Sequence, residues 1–260
     1  MFTGIIHSLG SVVAMEPLRA GPGRGGSGAG SSHRVGEGGI YQLSIRPEAV
    51  ARAWKPHLGD SIAVDGCCLT IARPPREGAS WVFHVIPETL SKTTLGELAP
   101  GALVHLERAA GASTLLDGHM VQGHIDGVAR VISVTERDDW RIRLAPPEGL
   151  LPYIVPKGSV SLAGVSLTVA EIGVPARAAR TKSSHSKVRG DDASWFEVAL
   201  IPVTLDRTHL GRLVRGQGVN LECDPIAKAV AHCVRHFLSI SGPRTVGGVG
   251  GKKRIASRRR

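Results

Sequence analysis

At 260 residues the chain has room for two domains of ordinary size, and 42% apolar content is enough to pack their cores. The formal charge of +10 points towards nucleic acid, but the basic residues gather in Leu18–Gly36, in Val174–Asp192 and in the terminal GKKRIASRRR, leaving the remainder slightly acidic. No apolar run approaches the roughly 18 residues of a membrane span, and the cysteines Cys67, Cys68, Cys223 and Cys233 lack the C-x-x-C spacing of a zinc site.

The chain opens on MFTGII at Met1, the first element of the pattern, so no targeting peptide is expected ahead of it. GPGRGGSGAGSSHR follows and reads as a flexible loop. Then come SIAVDG, CLTIA, WVFHVI and LVHLER, short runs rich in Val, Ile and Leu and bounded by Gly or Pro, which predict strands. MVQGHI begins a second series at Met120, with SVSLAG and SLTVAEI, the basic insert VPARAARTKSSHSKVRGDD, and WFEVALI and VNLE. Such strands in a unit of about 100 residues predict a small closed barrel or a sandwich. The last element is DPIAKAVAHCVRHFLSISG. Ile226, Val230, Cys233, Val234, Phe237 and Leu238 recur at helical steps, with Asp224 at the N-cap, Pro225 at the first turn, and Gly242 and Pro243 as the stop.

The two series are one pattern written twice. Gly4 matches Gly123, Gly66 matches Gly164, Leu69-Thr70 matches Leu167-Thr168, and Pro87-x-Thr89 matches Pro202-x-Thr204. Gly101, Val104, Leu106 and Glu107 match Gly216, Val219, Leu221 and Glu222. The order is kept throughout, so the chain is a duplication with boundaries at 1–118 and 119–222, a helix at 223–242 and a disordered basic tail at 243–260. The matches also expose differences: His124 stands opposite Ile5, Cys68 opposite Ser166, and Lys157 opposite Gly59. Two related domains with different polar groups imply two related sites with different chemistry.

MFTGII, GDSIAVDGCCLT, GHMVQGHIDG, KGSVSLAGVSLT, LIPVTL and VNLECD together resemble the riboflavin synthase family, in order, from Met1 to about Leu238. The resemblance implies an all-β fold of two tandem six-stranded Greek-key barrels related by internal duplication, plus a C-terminal α-helix that helps assemble a homotrimer. It implies a cytoplasmic enzyme that dismutates two molecules of 6,7-dimethyl-8-ribityllumazine. One molecule gives a four-carbon unit to the other, yielding riboflavin and 5-amino-6-ribitylamino-uracil, with no cofactor and no metal. Each barrel is expected to hold one lumazine, and the active site to form where the N-terminal barrel of one subunit faces the C-terminal barrel of its neighbour.

Such chemistry asks chiefly for two heterocycles held in register, with modest proton transfer. His124 is the candidate acid–base, since imidazole is the side chain suited to proton transfer near neutral pH. Cys68 is expected to line the site without acting covalently, and Ser61 and Asp224 match positions that the family associates with activity. Asp224 as a plain helix cap is the competing reading. Thr70 and Thr168, with Leu69, Leu167 and Ser166, recur at equivalent strand positions, and the hydroxyls suit a pteridine edge or a ribityl chain. The backbone of Gly4-Ile5-Ile6 and Gly123-His124-Ile125 offers donors and acceptors to the ring. In the resemblance His84, Val85, Ile86, Pro87, Glu88 and Thr89 line one site, Ala199, Leu200, Ile201, Pro202, Val203 and Thr204 line the other, and Lys157 contacts ligand. Two positions depart from the family: Ala163 stands where an acidic residue is usual, and Val203 where His or Glu is usual. The main rival is a lumazine- or flavin-holding protein of the same fold that does not turn its ligand over. A flavin reductase would need a nicotinamide-binding motif that is missing. A nucleic-acid-binding barrel would carry its basic and aromatic residues on the strands, not in inserts and tail.

Overall fold

The computed structural model describes residues 1–18, 39–73, 80–136, 139–174 and 194–241, so the Gly/Ser-rich loop, nearly all of the basic insert and the basic tail lie outside the described residues. The first barrel comprises β1 (Ser8–Pro17), β2 (Tyr41–Pro47), β3 (Ser61–Val64), β4 (Cys67–Arg73), β5 (Trp81–Val85) and β6 (Leu103–Arg108). Around the barrel they run β1-β2-β5-β4-β3-β6, and β6 closes on β1. The second comprises β7 (Gly127–Glu136), β8 (Trp140–Ala145), β9 (Ser159–Leu162), β10 (Val165–Gly173), β11 (Trp195–Leu200) and β12 (Gly218–Cys223), in the equivalent closed order. Both are antiparallel Greek-key barrels, as expected. Short helices α1 (Ala49–Arg52), α2 (Pro87–Lys92) and α3 (Pro202–Arg207) bridge strands, and α4 (Pro225–Ser241) follows the second barrel.

The sequence reading does not single out β1, β2, β7 and β8. β1 and β7 each carry a register shift, between Val12 and Ala14 and between Val131 and Ser133, as do β4 between Ile71 and Arg73 and β10 between Val169 and Glu171. β2 alternates cleanly, with Tyr41, Leu43 and Ile45 buried.

Inward-facing side chains fill each barrel. Leu43, Ile45, Ile62, Val64, Ile71, Phe83 and Leu106 pack the first, and Ile142, Leu144, Val160, Leu162, Phe196 and Leu221 the second. A filled interior leaves no room for a ligand, so binding groups must stand on the outer faces and rims.

The two barrels meet through matched turns. Asp65-Gly66 joins β3 to β4 with φ of 44° and 78°, and Ala163-Gly164 joins β9 to β10 with 46° and 87°. Two successive positive φ angles make a tight hairpin turn of the twisted kind. The turns touch: a Cβ on Gly66 would lie 2.5 Å from the amide nitrogen of Gly164. Ala163 is buried at this junction, so the departure there concerns how the barrels join.

Around the junction His105 and Asn220, equivalent in the duplication, do the same work. Asn220 Nδ2 donates to the Asp65 carbonyl at 2.9 Å, and Oδ1 accepts from the Thr94 amide at 2.7 Å. The His105 ring accepts at Nε2 from the His209 amide, so its hydrogen is on Nδ1, which donates to the Ala163 carbonyl, each at 2.8 Å. His105 is therefore neutral, and burial pushes it down to about 4.

α4 starts as the sequence predicts. Asp224 Oδ1 accepts from the Ile226 amide at 2.7 Å, with Pro225 first in the helix. Lys228 pairs with Asp126 at 2.9 Å, and Arg235 lies over Tyr153, which seats one side of the helix on its barrel. Ile226, Val230, Val234, Phe237 and Leu238 are exposed.

Candidate active site

The opening segments of the two halves exchange barrels. In the second half, Gly123 turns with φ of 81°, and its carbonyl accepts from the amide of Cys68 in the first barrel at 2.8 Å. A Cβ on Gly123 would fall 2.6 Å from Cys68 Cβ, so close approach and conformation both demand glycine. His124 thus emerges, exposed, beside Cys68, and Ile125 packs against the core of the first barrel. The first half does the reverse. The Gly4 carbonyl accepts from the Ser166 amide at 2.7 Å, and Ile6 belongs to the core of the second barrel. Phe2 and Val121 join the two segments in a reciprocal bridge, with N···O distances of 2.7 and 3.1 Å.

A buried carboxylate holds each crossing. Glu107 on β6 accepts from the amides of Thr3 and Gly4 at 2.7 and 3.1 Å and from the Thr3 hydroxyl at 2.9 Å. Glu222 on β12 accepts from the amides of Gln122 and Gly123 at 2.7 and 2.9 Å. Burial raises both carboxyls, and these amide donors work against that rise.

Two equivalent groups of candidate residues result, each on the outer face of a barrel and called a pocket below. The first has Cys68 half-buried, Leu69 buried and Thr70 exposed on β4. Ser61 on β3 faces Thr70 across the ladder. β4 pairs with β5 at Ile71 and Phe83, so Thr70 and exposed His84 occupy neighbouring positions. Val85 turns inward, Ile86 is exposed, and Pro87 opens α2, which carries Glu88 exposed and Thr89 half-buried. Gly123, His124 and Ile125 complete this pocket. The second pocket has Ser166, Leu167 and Thr168 on β10, with Ser159 facing Thr168. Ala199 and Leu200 end β11, Ile201 is exposed, and Pro202, Val203 and Thr204 open α3. Gly4, Ile5 and Ile6 complete it. Val203 is exposed on this rim, so that departure does bear on the pocket. Lys157 is exposed with φ of 65°, where the first half has Gly59 at 91°. Holding lysine in the left-handed region costs roughly 1–2 kcal/mol.

The sequence reading missed His119. Its Nδ1 lies 2.7 Å from Ser166 Oγ, and its Nε2 is buried without a partner among the described residues. Burial lowers its pKa, and the charge of Asp224 partly restores it. His119 stands just before the second opening motif, where the first half has no equivalent residue, so comparing the halves passes over it. Cys67 and Cys223 are buried thiols pushed up to about 12, which keeps them inert. Asp65, His105 and His209 bring ligand atoms within 4.8 Å of one another. They do not suit a metal, because both His105 nitrogens are engaged and Asp65 Oδ1 takes His209 Nε2 at 2.8 Å.

The model of the lumazine binding domain matches this chain twice, over residues 3–109 and 122–224. The riboflavin synthase of Mycobacterium tuberculosis is 36% identical over 237 residues, covering 90% of this chain and 98% of that protein. The chain belongs to the riboflavin synthase family. The Bacillus subtilis riboflavin synthase is 31% identical, covering 88% of this chain and 87% of its own. LumP solved with 6,7-dimethyl-8-(1'-D-ribityl) lumazine shares the fold with a TM-score of 0.61 at 22% identity, over 86% of this chain and 99% of that one. In this riboflavin synthase family member each candidate set combines strand residues of one matched domain with the opening segment of the other. No helix among the described residues is long and apolar enough to cross a membrane.

Proposed function

We propose that the chain converts two molecules of 6,7-dimethyl-8-ribityllumazine into riboflavin and 5-amino-6-ribitylamino-uracil. The observation that carries this reading is that both outer-face pockets are intact yet unequal. Each has its C/S-L-T strand, its P-x-T helix start and its crossing segment, which supports one lumazine per pocket. The first adds His124 and Cys68, the second Ser166, His119 and Lys157. Holding two ring systems in register contributes up to roughly 7–11 kcal/mol in favourable cases. His124 moves the proton of the acidic 7-methyl group, and general acid–base help adds about two to four powers of ten. Cys68 forms a polar wall, the Thr70, Thr89, Thr168 and Thr204 hydroxyls meet ring edges or ribityl groups, and Ser61 sits beside Thr70. The reaction needs no cofactor.

We read residues 1–118 and 119–222 as the two lumazine-binding units and α4 as the element of a homotrimer in the cytoplasm. The exposed stripe from Ile226 to Leu238 supports the assembly role. The protein incubated with the lumazine alone is expected to form riboflavin at half the rate of lumazine loss. Tight binding with a fluorescence change but no riboflavin would favour the rival reading, a ligand-holding relative, and would point first to Val203.

A further inference from the structure

We infer that Glu222 is a positioning residue for His124 and that Glu107 is its counterpart for the other pocket, which rests on the reading of His124 above. Glu222 belongs to the second barrel, whereas the pocket that His124 enters belongs to the first. Among the described residues the first barrel holds this segment by the bond from the Cys68 amide to the Gly123 carbonyl and by the packing of Ile125 on its core. The other anchor is the Glu222 carboxylate, fully buried, with one oxygen on the Gln122 amide and the other on the Gly123 amide. These are the amides of the two residues immediately ahead of His124. Both oxygens accept, so a carboxylate fits and an amide does not: an NH2 in place of either oxygen would face an N–H. Glu107 grips Thr3 and Gly4 in the same way, but the residue it delivers is Ile5, which carries no proton to move.

The duplication supplies the control. Glu222→Gln and Glu107→Gln remove equivalent buried acceptors and should lower the thermal midpoint by similar amounts. Only the first should act on His124. Glu222→Gln is expected to cut turnover about 10- to 100-fold, the range that a displacement of an ångström or less brings to a reacting group. The Cε1–H resonance of His124, read by NMR, should move in Glu222→Gln and stay in place in Glu107→Gln. In a His124→Ala background, Glu222→Gln should cost nothing further, since a residue that works through His124 has nothing left to position. If the amide variant does not fold, Glu222→Asp keeps the charge, withdraws the carboxylate by one methylene and should move the same resonance. An unmoved resonance, or an equal loss of turnover with and without His124, would overturn the inference. Full turnover in His124→Ala alone would instead remove His124 from the chemistry, while the resonance would still report whether Glu222 places it.

Discussion

Replacing His105 with asparagine tests the barrel junction. The folded protein keeps this histidine neutral near an acidity of about 4, against an ordinary value of 6.5. A group depressed in this way takes its proton first in the unfolded chain, so its contribution to stability is complete above pH 6.5 and is lost as pH falls towards 4. The interval corresponds to about 3 kcal/mol at full extent. Asp65 and His209 face the same ring, and burial is the largest cause, ahead of the charge of His209. Asparagine does not titrate, and Asn220 already fills the equivalent position. From there Asn220 makes both bonds, to the Asp65 carbonyl and from the Thr94 amide, so asparagine at 105 keeps the polar work and loses only the packing of the imidazole. The variant should therefore come within about 1–2 kcal/mol of the parent at pH 7.5. On acidification it should gain relative to the parent, by up to about 3 kcal/mol. Urea midpoints followed by tryptophan fluorescence at pH 7.5, 6.0, 5.0 and 4.5 would measure this, and the difference between the two proteins cancels the titrating groups away from the ring, leaving His105 with Asp65 and His209. Parallel curves would mean that His105 is not held neutral, and the reasoning would fail.

Other outcomes follow from the pockets. His124→Ala should lower turnover by about 10²- to 10⁴-fold with lumazine affinity within a few-fold, measured by riboflavin absorbance and ligand fluorescence. Lys157→Gly should raise stability by about 0.5–1 kcal/mol, because glycine accepts the φ of 65°, while weakening ligand binding; a loss of stability would contradict the strain argument. Asp224→Asn keeps a cap acceptor and should leave the thermal midpoint nearly unchanged, whereas Asp224→Ala should cost about 1 kcal/mol. If Asp224→Asn nonetheless loses turnover, the charge serves the site as well as the helix.

The sequence made the duplication, eight of the strands and the cap of α4 legible, because each rests on pattern: apolar runs between turns, glycine at turns, Asp-Pro ahead of a helix. It also brought out His124 and Cys68 through the mismatches between halves, and the paired threonines through the matches. It could not reveal that Gly4 and Gly123 exchange barrels, since both hydrogen bonds join residues far apart in the chain and leave no periodic trace. Nor could it mark Glu107 and Glu222 as more than strand residues, although both recur in the repeat, because an acid at a buried strand end becomes meaningful only when the amides it faces are known. His119 escaped because it has no partner in the other half.

The exchange of opening segments also sets an order in time. As the chain is made, all six strands of the first barrel exist once Arg108 has emerged, yet that barrel's pocket waits for Gly123, His124 and Ile125. Ile6, made at the very start, has no core to enter until β10 and its neighbours form. The newborn chain therefore holds this apolar side chain in reserve for more than half of its synthesis, and both crossings are held at each end only when the second barrel closes.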